Sequence, residues 1–154
     1  VRVLTYNSRL VPKEKVPRNY EDLLDPGWKG AIGFPEAQYA WYGTMLRVMG
    51  EEKGKKFMQA LGRQELQNRA SQVLITQFVA AGEFNLGFVY DNQVLRFKKE
   101  GAPLGVAPLP RRRLQPRAGD LVTFPSYLYH HTVPHADSGL RISLAFDVIP
   151  SQDD

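Results

Sequence analysis

The chain contains no cysteine, which excludes disulfides, thiolate nucleophiles and zinc–thiolate sites. Histidine is nearly as scarce. All 3 histidines lie in the stretch LVTFPSYLYHHTVPH, as His130, His131 and His135. Any imidazole-based metal site must therefore draw on that one stretch. No apolar run approaches the ~20 residues that a membrane helix needs. Glycine-rich phosphate loops, a Walker lysine and a nucleophile elbow are also missing, as are internal repeats and low-complexity tracts. The chain opens on Val1, without an initiator Met or a basic-then-apolar leader. It therefore reads as a processed product or a piece of a longer chain.

What is present suits a soluble globular protein: 43% apolar and 23% charged residues over 154 positions. That length fits one ordinary domain, or two small pieces leaning on each other. The net charge of +4 has a local origin, because Arg111, Arg112, Arg113 and Arg117 sit in PRRRLQPR and removing those four leaves zero. A polybasic segment can bind phosphate backbone or an acidic membrane surface. No aromatic residue is interleaved to stack on bases, so nucleic acid is disfavoured. The segment reads as a solvated, proline-flanked connector.

Two styles of sequence meet at this connector. Before it, strands and helices alternate. VRVLTY and AIGF are short strand candidates, and Asn19 can cap a brief helix through YEDLLD, which Pro26-Gly27 ends. From Ala37 to Met49, Tyr39, Tyr42, Leu46 and Met49 recur at helical spacing, and Gly50 stops the run. EEKGKKFMQAL is a second helix ending at Gly62. A third follows the N-cap Ser71 and runs through QVLITQFVAA to Gly82. FNLGFVY alternates as a strand, Asp91 caps NQVLRFKKE, Gly101 closes that helix, and PLGVAPLP is extended. This order predicts an α/β lobe with a partly parallel sheet. After Pro110 the helical periods stop. GDLVTF and RISLAFDV are strands, and in the latter Leu140, Ile142, Leu144, Phe146 and Val148 share one side. About 40 residues of β-hairpin are too few for an independent β domain.

The stretches YNSRLVPKEKVPRNYEDLLDPGWKGAIGFPEAQYAWYGTML and LITQFVAAGEFNLGFVYDNQVLRFKKEGAPLGVAPL carry a resemblance. Over residues 1–109 the chain resembles the second lobe of an extracytoplasmic solute-binding protein of the iron(III)-type branch. Proteins of this kind feed ABC importers. The resemblance implies one lobe of a type II periplasmic-binding-protein-like fold, with a small-molecule solute held between two lobes that close on a hinge. It also implies an ABC permease as partner, a second lobe outside these residues and a periplasmic location. Helix N-termini present free N–H groups and partial positive charge, which suits an anionic ligand. Three such starts are predicted, near Glu36-Ala37, at Ser71 and at Asp91. Candidate ligand contacts are therefore Tyr39, Trp41 and Tyr42, then Ser71, then Tyr90 and Gln93. Ferric members of the family use two adjacent tyrosines near Tyr90 as phenolate ligands. Here the sequence is Val89-Tyr90-Asp91, so a small organic or anionic solute is as well supported as ferric ion.

LQPRAGDLVTFPSYLYHHTVPHADSGLRISLAFDVIP carries a second resemblance, over residues 112–150. It resembles the C-terminal end of a double-stranded β-helix oxygenase that uses Fe(II) and 2-oxoglutarate. That family implies His130 as the distal metal ligand, with Arg141 and Ser143 on one side of the last strand to hold the cosubstrate carboxylate. Its first two ligands form a His-x-Asp/Glu step well upstream. Residues 1–129 contain no histidine, so that step is absent. His135-Ala136-Asp137 spells the motif, but downstream of His130.

The resulting expectation is composite. Residues 1–109 form the solute-binding lobe, 110–118 a basic linker, and 119–154 a short antiparallel β segment from the oxygenase-like barrel. The leading functional reading is a partial solute-binding component for an anionic or metal-chelate solute, without a cofactor of its own. The alternatives are a cytoplasmic Fe(II)/2-oxoglutarate dioxygenase and a non-functional fused fragment.

Overall fold

The computed structural model of the chain describes residues 2–109. The connector, the β segment and their candidate residues His130, Arg141 and Ser143 lie outside the described residues. Five strands and four α-helices follow in the order β1 (Arg2–Asn7), β2 (Ile32–Pro35), α1 (Tyr39–Met49), α2 (Glu51–Gly62), β3 (Gln67–Arg69), α3 (Gln72–Ala81), β4 (Leu86–Tyr90), α4 (Asp91–Lys99) and β5 (Leu104–Val106). The strands form one mixed sheet in the order β3-β2-β4-β1-β5. Strand β2 runs parallel to both β3 and β4. Strand β1 is antiparallel to β4, with Arg2 opposite Tyr90, and antiparallel to β5.

The sheet is covered on both faces, as parallel pairing requires. One core cluster joins Leu4, Leu86 and Phe88 of the sheet to Trp41 and Met45 of α1 and Phe57 of α2. The other joins Val3 and Val89 to Ile75 and Val79 of α3 and Val94 of α4. An α/β/α sandwich results, with α1 and α2 on one side and α3 and α4 on the other. Two glycines let α3 sit unusually close. A Cβ on Gly33 would lie 2.7 Å from the Phe84 ring and 2.8 Å from Ile75 Cγ2, and one on Gly87 would lie 2.8 Å from the same methyl. Asn7 ties β1 to the far end of α3, its Nδ2 donating to Val79 O at 2.7 Å and to Ala80 O at 3.3 Å.

The local signals act largely as the sequence suggests. Ser71 Oγ accepts from Leu74 N at 3.4 Å, and Gly82 closes α3 in the left-handed conformation at φ 89°. Asn19 Oδ1 accepts from Asp22 N at 2.9 Å and starts a short 3-10 turn, Glu21–Leu24. Three details differ. The turn does end ahead of Pro26-Gly27, but a separate 3-10 turn, Pro26–Trp28, follows it, with the Asp25 carboxylate accepting from Gly27 N. Helix α1 begins at Tyr39 rather than near Glu36-Ala37, since Ala37 takes a left-handed backbone (φ 53°) that cannot continue into a helix. Asp91 is the first residue of α4 rather than its cap, and the extended Tyr90 holds the N-cap position.

Candidate functional site

Strands β2, β3 and β4 are parallel, so their carboxyl ends share one edge of the sheet. Each is followed there by a helix: Pro35 leads to Tyr39, Arg69 to Gln72, and Tyr90 directly to Asp91. The first-turn N–H groups of a helix have no intrahelical acceptor and carry partial positive charge. Three such ends therefore face one side of the sandwich. From β2 the chain turns outward over one face to β3, while from β4 it turns the other way over the opposite face to β5. Neighbouring strands whose connections diverge leave a crevice outside their carboxyl ends, the usual ligand site of open α/β sheets. By that rule the candidate position here is outside the ends of β2 and β4.

The residues nominated from sequence differ in exposure and in what they contact. Tyr39, the first residue of α1, is 82% exposed, and Tyr42 one turn later is 40% exposed. Trp41 is only 5% exposed. Its ring lies 5.2 Å from Phe34, 5.5 Å from Phe88 and 6.5 Å from Tyr20, so it packs into the core. Ser71 is exposed and uses its hydroxyl to cap α3. Tyr90 is 40% exposed at the tip of β4. Gln93 lies in the first turn of α4, half-buried, and its Oε1 is enclosed without a hydrogen-bond donor among the described residues.

Two further residues belong to this edge and were not nominated. Arg2 stands opposite Tyr90 in the β1–β4 register, with its guanidinium carbon 5.5 Å from the centroid of the Tyr90 ring. This cation–π contact sets the guanidinium of Arg2 against the phenol at the tip of β4. Gln72, the first residue of α3, has an enclosed Oε1 that also lacks a donor among the described residues. Sequence offered no signal for Arg2, because its proximity depends on a long-range antiparallel pairing. Gln72 was readable in principle, since it follows the cap Ser71.

With this geometry in view, the comparisons with known proteins are consistent. Residues 1–104 match the family described as bacterial extracellular solute-binding protein, which is most of the chain. The chain belongs to this family. Among solved structures, the solute-binding lobe is similar to iron-bound HitA from Pseudomonas aeruginosa, at 22% identity and a TM-score of 0.60 over 69% of this chain and 36% of that one. It is similar to the periplasmic binding protein P5PA at 25% identity, TM-score 0.61, over 70% and 36% of the two chains. AfuA from Actinobacillus pleuropneumoniae, determined with fructose-6-phosphate bound, is 25% identical with a TM-score of 0.60, over 68% and 35%. This solute-binding chain thus spans about a third of those proteins' length, and the shared part is one lobe. No curated protein matches it by sequence.

Residues 104–147 match a second family, described as putative 2OG-Fe(II) oxygenase. The two matches meet at Leu104, the first residue of β5. Among the described residues no group of three or more His, Cys, Asp or Glu side chains could hold a metal ion. Every imidazole falls at positions 130–135. The donors for a two-histidine, one-carboxylate Fe(II) site therefore do not fit the pattern that such chemistry uses. No helix among the described residues is long and apolar enough to cross a membrane.

Proposed function

We propose that residues 1–109 act as the second lobe of the solute-binding component of an ABC-type importer, working outside the cytoplasmic membrane. The solute is a small anion or metal chelate, and an ABC permease is the partner. Residues 110–118 are the basic connector and 119–154 the oxygenase-like β segment. One observation supports this reading: the carboxyl ends of the parallel strands β2, β3 and β4 each lead into a helix N-terminus at one edge of the sheet, beside Arg2 and Tyr90. The contacts assigned to the solute are Tyr39, Tyr42, Ser71, Tyr90 and Gln93, with Arg2 and Gln72 added, while Trp41, packed in the core, is set aside as a ligand contact. Neighbouring structures carry iron in one case and a sugar phosphate in another. A sugar phosphate suits an electropositive crevice directly, whereas iron suits it only as an anionic chelate.

A single lobe lacks the contacts of the opposite lobe and the gain from closure, so affinity is weak. At ten times a millimolar Kd, ligand still stabilises by about 1.4 kcal/mol, which raises Tm by about 5–10 °C for a fold of this size. Thermal melts of the full chain with citrate, ferric citrate and a sugar phosphate provide the test. A rise with at least one of them, lost in Arg2→Gln, supports the reading. Flat melts across all three reject it.

A second reading rests on the match over residues 104–147, with His130 as metal ligand and Arg141 and Ser143 on the 2-oxoglutarate carboxylate. Calorimetry with Fe(II) plus 2-oxoglutarate distinguishes the two. Heat abolished by His130→Ala would favour an oxygenase site over a solute lobe.

A further inference from the structure

Strand β3 is the polar tripeptide Gln67-Asn68-Arg69, and none of its residues is buried. Its register with Gly33, Phe34 and Pro35 makes it a strand, but it brings no apolar side chain to the core. Arg69 anchors it instead. The Arg69 guanidinium carbon lies 5.5 Å from the centroid of the Phe78 ring and 5.4 Å from that of Phe84, both within cation–π range. Those two rings meet edge to face at 5.1 Å, so they present the guanidinium with an aromatic corner. Phe78 belongs to α3, and Phe84 is a buried member of the second core cluster. Nη1 of Arg69 also donates to Asn68 O at 2.7 Å, which ties the planar head group back to its own strand. A planar, weakly hydrated guanidinium suits a seat on two rings better than a lysine ammonium does.

The backbone of Arg69 reaches the other way. Its carbonyl accepts from Glu36 N at 3.2 Å, and Glu36 lies in the short loop between β2 and α1. Ala37 in that loop is left-handed at φ 53°, a backbone that an alanine keeps only where its surroundings impose it. On one side of Ala37, Glu36 is held by the Arg69 carbonyl. On the other, Gln38 O accepts from Tyr42 N at 2.9 Å in the first turn of α1. Arg69 thus bonds the loop that leads into α1 and lies just ahead of Ser71, the cap of α3. We propose that Arg69 is a positioning residue. Stacked on Phe78 and Phe84, it fixes the end of β3 and, through its carbonyl, the loop that delivers the start of α1 to the same edge of the sheet as the start of α3. This clamp stands on the lobe's own packing; only its effect on solute rests on the solute-binding reading above.

Residue-resolved hydrogen exchange on the full chain tests the clamp. The Glu36 amide exchanges when the loop opens, and an opening that must break the stacked seat becomes easier when the seat is weakened. In Arg69→Gln the Glu36 amide is expected to lose at least about fivefold of its protection, the scale of a lost cation–π contact. Arg69→Lys should lose less, and Phe78→Leu should add little in the Arg69→Gln background, because both act on one contact. Phe78→Leu alone serves if Arg69→Gln does not fold. Val94→Ala, which thins the core beneath α4, is the control for general destabilisation and should leave Glu36 unchanged. A Glu36 amide as protected in Arg69→Gln as in the wild type overturns the proposal. So do equal losses in Arg69→Gln and Val94→Ala, which mark lost stability and nothing more. For binding, melts with citrate, ferric citrate and a sugar phosphate are read in the same variants. A ligand that raises Tm in the wild type should raise it by at most about half as much in Arg69→Gln. Equal rises overturn the positioning role, whereas flat melts beside lost Glu36 protection reject the solute reading and leave the clamp standing.

Discussion

Replacing Gly87 by alanine tests the account of how α3 is seated. The new methyl would lie 2.8 Å from Ile75 Cγ2 and 2.9 Å from Val79 Cγ2. Carbon atoms pack best at about 3.5–4.0 Å, so the helix must withdraw by roughly 0.7–1 Å or the sheet must bend. Ile75 and Val79 are β-branched and fully buried, which leaves them no rotamer to escape into. Overpacking of this kind costs about 1–3 kcal/mol. Removing glycine's freedom in the unfolded chain returns about 0.5–1 kcal/mol. The net loss is about 1–2 kcal/mol, a fall in Tm of about 5–15 °C for a domain of this size. Withdrawal of α3 also shifts Ser71 and Gln72, so solute binding should weaken more than stability alone explains. Thermal and urea melts of Gly87→Ala and Gly43→Ala measured side by side provide the assay. Gly43 lies within α1, where a Cβ meets nothing within 4 Å, so the same substitution should stabilise by up to about 1 kcal/mol there. A neutral or stabilising Gly87→Ala would refute the close-seated helix.

Other expectations follow from particular contacts. Asn7→Leu removes the two donors to the α3 carbonyls and the acceptor that receives Arg9 N at 2.9 Å; a loss of about 2 kcal/mol in urea unfolding is expected. Ala37→Gly relieves a left-handed backbone at φ 53° and should raise stability by up to about 1 kcal/mol, measured the same way. The hydrogen bond from Lys55, and then its charge, hold the Glu51 carboxyl below its ordinary value, and Glu51 likewise raises Lys55. The carboxylate's contribution is present above the ordinary carboxylate pKa and fades as pH falls through the lowered one. That of Lys55 is present below the ordinary amine pKa and fades as pH rises through the raised one. Both groups are fully exposed, so the readout is NMR titration of Glu51, which should return to the ordinary range in Lys55→Met.

The parts of this lobe legible in sequence are those governed by local rules. Ser71 and Gly82 bracket α3 with a side-chain cap and a left-handed glycine, and both act within one turn of the chain. Strand β3 was not legible, because Gln67-Asn68-Arg69 has no apolar alternation or β-branched residue. It becomes a strand only through its register with Gly33, Phe34 and Pro35. The same long-range logic hides Arg2, which meets Tyr90 only because β1 inserts antiparallel between β4 and β5. Trp41 shows the opposite limit. Its place in the helical pattern was clear, but not whether an indole so near a helix start faces solvent or the rings of Phe34 and Phe88.

The insertion of β1 beside β5 has one more consequence. Because Ala107 bonds back to Leu4, the chain comes into the lobe and goes out of it through neighbouring doorways. A unit with adjoining ends can be spliced into a surface loop of another protein without prying that loop apart. The lobe is in this sense a cartridge, and exchanging what lies on either side of it leaves its own architecture untouched.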